Sequence, residues 1–172
     1  MEKTKVIITR EEIAKRIDKL ADEIRRDYKD KNPLLVGALK GCFVFMSDLI
    51  RSLNMPVEVD FMKVSSYGAC TETSGKIRVL KGIEAPIKGR HVLVIEDIVD
   101  SGLTVHFLLE YLKRRKPASI KLCALFDKPS RRKVEIPIDY VGFTIPDKFV
   151  VGYGLDCDEK YRYLPDLCIL EG

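Results

Sequence analysis

An α/β fold, with a mostly parallel sheet flanked by helices, follows from three observations on this chain. Apolar runs of strand length alternate with segments of helical period, the signature of α/β layering. Residues 91–95, 104–115 and 120–126 read as strand, helix and strand, a βαβ unit whose crossover is expected to be right-handed. Leu34-Leu-Val-Gly-Ala-Leu39 is a continuous apolar run, as in strands covered on both faces.

Each element has a local reason. Thr9 stands three residues before Glu12, a capping-box spacing, and Ile13, Ile17, Leu20, Ala21, Ile24 and Tyr28 then recur with helical period to about residue 29. Asn32-Pro33 stops that helix, and Lys40-Gly41 ends the strand that follows. Residues 43–53 form a second helix, with Phe43, Met46, Leu49, Ile50 and Leu53 expected on its apolar side. Pro56 opens an alternating strand through Val57, Val59 and Phe61. Residues 65–76 offer almost nothing to bury and read as a long loop, a length common in lids and binding segments. A strand is expected at 77–80. After Phe126 the pattern weakens into short pieces near 139–143, 150–152 and 167–170, broken by prolines, which reads as a small accessory lobe. With no repeat or linker, residues 1–172 are expected to form a single domain.

With 172 residues, 46% of them hydrophobic, the chain can bury one sizeable core. A formal charge of +4 with dispersed basic residues argues against nucleic acid, and the absence of a long apolar stretch argues against a membrane. Five cysteines without a C-x-x-C pair, and two histidines at no ligand spacing, point to free thiols in a reducing compartment. The N-terminus lacks a signal-like hydrophobic region, so a cytoplasmic protein is expected.

The segment Val94-Ile95-Glu96-Asp97-Ile98-Val99-Asp100-Ser101-Gly102-Leu103-Thr104 carries the chemistry. On folding grounds alone, a strand ending in Glu-Asp and a helix capped by Asp100 or Ser101 would arise in many α/β proteins. Yet carboxylates can accept hydrogen bonds from both hydroxyls of a ribose, and the free N–H groups at a helix start bind phosphate. The two tasks side by side suit a phosphorylated sugar. Lys40-Gly41, Glu96-Asp97 and Asp127-Lys128 each lie at a strand end, where ligands of open α/β sheets bind.

The segment resembles the 5-phosphoribosyl-1-pyrophosphate (PRPP) signature of type I phosphoribosyltransferases, and most of the chain resembles the hypoxanthine-guanine phosphoribosyltransferase family. The resemblance implies the type I phosphoribosyltransferase fold and transfer of the phosphoribosyl group of PRPP to a 6-oxopurine base, giving a nucleoside monophosphate and pyrophosphate. It implies that Lys40 and Gly41 form a pyrophosphate loop opened by a non-proline cis peptide, and that Ser66 and Tyr67 begin a mobile loop that shields the reaction from water. Glu96 and Asp97 are assigned to the ribose hydroxyls and, with Asp156, to Mg²⁺; Ser101, Gly102, Leu103 and Thr104 are assigned to the 5'-phosphate. Asp100 is assigned as the proton acceptor at purine N7. Lys128 would donate to the purine 6-oxygen, Phe149 would stack on the base, Val150 would read its edge through the backbone, and Arg162 would neutralise the leaving group. Asp158 and Glu159 read as a charged turn. Relatives commonly form dimers or tetramers, so a homo-oligomer is implied.

The competing reading is a regulator that uses the PRPP-binding fold to sense nucleotides while binding RNA or DNA. It ranks lower because the chain has neither a basic face nor an added DNA-binding module. Neither G-x-G-x-x-G after a strand nor a P-loop is present. Pyrimidine and adenine transferases share the PRPP motif, and the set Lys128, Phe149 and Asp156 favours a 6-oxopurine.

Overall fold

A computed structural model describes residues 3–66 and 77–171. The elements run β1 (Lys3–Ile8), α1 (Arg10–Asp27), β2 (Leu34–Leu39), α2 (Phe43–Leu53), β3 (Glu58–Ser66), β4 (Ile77–Lys81), β5 (His91–Val99), α3 (Leu103–Lys113), β6 (Ser119–Asp127), a 3₁₀ turn (Pro129–Arg131), β7 (Tyr140–Thr144), β8 (Val150–Val151) and β9 (Leu167–Glu171). Six strands form the main sheet in the order β4-β3-β2-β5-β6-β7, parallel except for the β3–β4 pair. A second, antiparallel sheet has the order β1-β9-β8.

The central strands are apolar throughout because both their faces are covered. Leu35, Leu93, Ile95, Cys123 and Leu125 pack with the buried faces of α1 and α2, while Leu34, Val36, Val92, Val94, Leu122 and Ala124 pack with Val105, Leu108, Leu109 and Leu112 of α3. Consecutive strand residues point to opposite faces, so an unbroken apolar run serves two helical layers at once. The α1 helix begins as its capping box requires: Thr9 Oγ1 accepts from Glu12 N at 3.2 Å, and Glu12 Oε2 accepts from Thr9 N at 2.8 Å. Its buried residues Ile13, Ile17, Leu20, Ala21 and Ile24 are those the period selects.

The structure departs from expectation at five points. The N-terminal strand β1 is unexpected: Lys3 to Val6 are exposed, and it is placed by pairing with β9 and by its packed end at Ile7 and Ile8. In α2, Phe43 is 47% exposed and Phe45 takes the buried place beside Met46, Leu49 and Leu53. Around β3, Val57 and Phe61 pack against the core as expected but Val59 is exposed, and the other face is also covered, with Met62 buried and Asp60 turned inward to accept backbone hydrogen bonds. The 139–143 piece is not part of an accessory lobe, because β7 continues the main sheet in parallel with β6. The long loop expected from Ser65 begins later, as Ser65 and Ser66 still pair with β4; its remainder, residues 67–76, lies outside the described residues.

Candidate active site

The parallel strands deliver their carboxyl ends to one edge of the main sheet, and the polar side chains gather there. β5 extends past Ile95, with Glu96 opposite Ala124, Ile98 opposite Phe126 and Val99 opposite Asp127. Glu96 and Asp97 therefore sit within the strand rather than after it, which fixes their backbones, and both side chains line one cavity.

Glu96 is buried, and its Oε1 has no hydrogen-bond partner. Burial raises its carboxyl well above the ordinary range, and the neighbouring charge of Asp97 adds to the rise. Burial likewise raises Asp97, although the Ile98 N–H at 2.8 Å and the Arg162 charge pull the other way. Two carboxyls held this close in little water are short of positive charge and of donors, so hydroxyls or a cation would satisfy them. Among the described residues, no three His, Cys, Asp or Glu side chains group as metal ligands. Mg²⁺ fits such a sparse set, since it typically takes one or two carboxylates and completes its shell with phosphate oxygens and water.

After β2 the chain turns at a cis Leu39–Lys40 peptide. Gly41 there lies so close to Asp97 that a Cβ would overlap the carboxylate. From the far side Gly154, at φ 95°, presses on the Gly41 carbonyl, and an added Cβ would stand 2.6 Å from that oxygen. Arg162 ties the same segment together: Nη1 donates to Gly154 O at 2.7 Å and Nη2 pairs with Asp156 Oδ1 at 2.8 Å. Together these parts line a cavity of about 360 Å³ that includes Lys40, Gly41, Glu96, Asp97, Asp156 and Arg162.

A smaller cavity of about 160 Å³ adjoins it, sharing Glu96 and Thr104 and adding Asp100, Ser101 and Gly102. Gly102, at φ 84°, is the N-cap of α3, and neither Asp100 nor Ser101 takes that place. The positive φ turns the chain sharply enough to open the helix N-terminus towards the cavity, leaving its first N–H groups available to an anion. Leu103 is the first helical residue, and its N–H reaches Ser101 Oγ only at 3.4 Å.

Lys128, just beyond β6, is buried, and its Nζ donates to Lys148 O at 2.9 Å while lying 3.8 Å from Asp100 Oδ2. Asp100 Oδ1 is buried without a partner. Phe149, next to that carbonyl, is 57% exposed, and Val150 is buried in β8. Phe149 and Val150 line neither cavity, but Lys128 connects them to the site through Lys148. Ser66 closes β3, and Tyr67 lies outside the described residues.

Glu159, read from sequence as part of a charged turn, proves to be a contact residue. Its Oε1 pairs with Lys40 Nζ at 2.7 Å and its Oε2 lies 3.8 Å from Arg162 Nη2. No sequence signal links Glu159 to a lysine 119 positions away.

Comparison with known proteins agrees with this geometry. Residues 5–158 match the family model described as the phosphoribosyl transferase domain. The chain is 49% identical over 167 residues to hypoxanthine-guanine phosphoribosyltransferase of Bacillus subtilis (strain 168), covering 97% of this chain and 93% of the relative. A crystal structure of a hypoxanthine-guanine phosphoribosyltransferase from Bacillus anthracis, with HEPES in the active site, superposes with a TM-score of 0.94 at 47% identity, covering 99% of this chain and all of that one. A structure of Trypanosoma cruzi hypoxanthine phosphoribosyl transferase, concerned with the role of its C-terminal region in oligomeric state and activity, gives a TM-score of 0.91 at 44% identity, covering 97% and 91%. The chain belongs to the hypoxanthine-guanine phosphoribosyltransferase family.

Proposed function

We propose that this protein is a purine salvage enzyme that transfers the 5-phosphoribosyl group of PRPP to N9 of hypoxanthine or guanine, giving IMP or GMP and pyrophosphate. The observation that carries the reading is Lys128, a buried ammonium with a donor committed to Lys148 O and Asp100 on its other side. An ammonium has donors only, so it suits the 6-oxygen of a 6-oxopurine and opposes the 6-amine of adenine.

The bond from C1 of the ribose to pyrophosphate breaks with oxocarbenium character, and N9 of the base attacks from the opposite face. The protein's part is placement and charge. Glu96 and Asp97 hold the ribose hydroxyls. Ser101, Thr104 and the N–H groups opening α3 hold the 5'-phosphate. Phe149 stacks on the base and the Val150 backbone meets its edge. As N9 bonds to carbon, the base loses its N7 proton to Asp100. Lys40 and Arg162 neutralise the departing pyrophosphate. Mg²⁺, held by Asp156 with Glu96 and Asp97, would supply further positive charge to the phosphate oxygens when bound. Ser66 and Tyr67 would begin the segment that covers the reaction.

The proposed setting is cytoplasmic and the proposed assembly a homo-oligomer, dimer or tetramer. In support, Cys42, Cys123, Cys157 and Cys168 are free thiols, and no helix among the described residues is long and apolar enough to cross a membrane. The regulator reading is not supported, since the relatives are named as phosphoribosyltransferases.

The test is pyrophosphate release with Mg²⁺ and PRPP, offering hypoxanthine, guanine, xanthine, adenine and uracil in parallel. Turnover with hypoxanthine and guanine, and with neither adenine nor uracil, is the expected result. Lys128→Ala should weaken the discrimination against adenine. An unchanged preference would remove the lysine from its role, and PRPP binding without turnover of any base would revive the regulator.

A further inference from the structure

We propose that Glu159 is a built-in occupant of the pyrophosphate subsite: its carboxylate holds Lys40 and Arg162 in place until the leaving-group anion displaces it. The proposal rests on the assignment of those two cations to pyrophosphate. Two independent observations carry it.

The first is contact. In this chain the cations of the subsite already have an anion, since Glu159 meets Lys40 Nζ at 2.7 Å and Arg162 Nη2 at 3.8 Å. The carboxylate thus bridges the loop after β2 and the segment before β9, which also meet where Gly154 packs on the Gly41 carbonyl. Its side chain is largely exposed, so it can swing out without uncovering apolar surface.

The second is the backbone that presents it. Cys157 and Lys160 exchange hydrogen bonds at 3.1 and 3.0 Å, closing a two-residue turn in which Asp158 has φ 50° and Glu159 φ 59°. Both central residues are left-handed, the type I′ pattern, where Asn-Gly or Asp-Gly is the easy choice. Asp fits the first place. Glutamate at the second is strained relative to glycine, so the local preference of the turn does not explain it. Its orientation does: Glu159 N donates to Asp156 Oδ2 at 2.9 Å, which locks the turn against the Asp156–Arg162 pair and aims the glutamate at Lys40.

A bound carboxylate that must leave lowers the net affinity for the anion replacing it. It also keeps two like charges from drifting apart in the empty enzyme. Removing it should therefore tighten pyrophosphate binding, a gain that a purely structural residue would not produce when deleted.

The experiment is titration calorimetry of the full chain with inorganic pyrophosphate and Mg²⁺, comparing wild type with Glu159→Gln, Glu159→Gly and Lys40→Ala. Glu159→Gly fits the positive φ, so it preserves the turn should the glutamine variant fold poorly. The expected result is about two- to fivefold tighter pyrophosphate binding in both Glu159 variants, the size of an exposed ion pair, fading as salt is raised, with KM for hypoxanthine unchanged. Unchanged or weaker binding in both, alongside weaker binding in Lys40→Ala, overturns the proposal and leaves the subsite assignment standing. If Lys40→Ala also binds as wild type does, the subsite assignment fails and the proposal falls with it.

Discussion

The Lys128 ammonium stands 3.8 Å from Asp100 Oδ2 and joins the end of β6 to the turn that opens α3. Lys128 N also donates to Val99 O at 3.0 Å, so backbone and side chain both hold the two segments together. The pair brings a base-recognising donor and a proton acceptor within one side-chain length, with Asp100 Oδ1 left free.

Asp100→Asn preserves the shape of that acceptor and removes its basicity. The expected loss in kcat is about 10²- to 10⁴-fold, the range of a positioned base, with PRPP affinity changed only slightly. Steady-state kinetics beside direct PRPP binding checks this. Equal losses in kcat and affinity would assign Asp100 to binding alone.

Gly41→Ala tests the contact between the pyrophosphate loop and the ribose carboxylates. The new methyl would overlap Asp97 Oδ2 and stand 2.7 Å from Asp97 Cγ, so the Asp97 side chain must move aside. Stability should fall by less than about 1 kcal/mol, as for a site where a side chain yields. KM for PRPP should rise at least about tenfold, the effect of roughly 1.4 kcal/mol of misplaced binding. Thermal melting and kinetics measured together separate the two effects.

Phe149→Ala should leave stability within about 0.5 kcal/mol of wild type, since the ring is 57% exposed and supports little of the core. KM for hypoxanthine should rise by about five- to 150-fold, given that stacking an aromatic ring on a base is worth about 1–3 kcal/mol. A large drop in melting temperature with an unchanged KM would make the ring a packing residue.

Asp60 sets an acid limit on stability. Burial opposes its charged form, but the N–H groups of Ala85, Glu84 and Phe61 and the charge of Lys81 outweigh burial and hold its pKa below the ordinary value. Its contribution is thus complete above the unfolded-chain pKa of about 3.9 and disappears as pH falls through the lower folded value. Asp60→Asn should cost about 2 kcal/mol from pH 5 to 8, because three backbone N–H groups lose a charged acceptor, and the gap to wild type should begin to narrow below about pH 4 and close only below the lowered folded pKa. Urea unfolding across that range tests the sign.

What the sequence alone determined is what local chemistry determines. The capping box of Thr9 and Glu12, the period of α1, the unbroken apolar run of β2 and the Glu96 to Thr104 signature each draw on neighbours within a turn or a strand, so their meaning survives without the rest of the chain. The family's motif positions were legible for the same reason.

Tertiary structure decided whatever depends on a distant partner. β1 exists because β9 offers it an edge, β7 joins the main sheet because β6 does, and Phe45 rather than Phe43 faces inward because the layer beneath α2 has a definite position. The polar inward face of β3 at Asp60 needs backbone donors more than 20 residues away. Glu159 is the clearest case. Its charge could be read locally, but its partner Lys40 is brought to it only when the Gly41 and Gly154 backbones pack together, and no pattern within a few residues encodes that meeting.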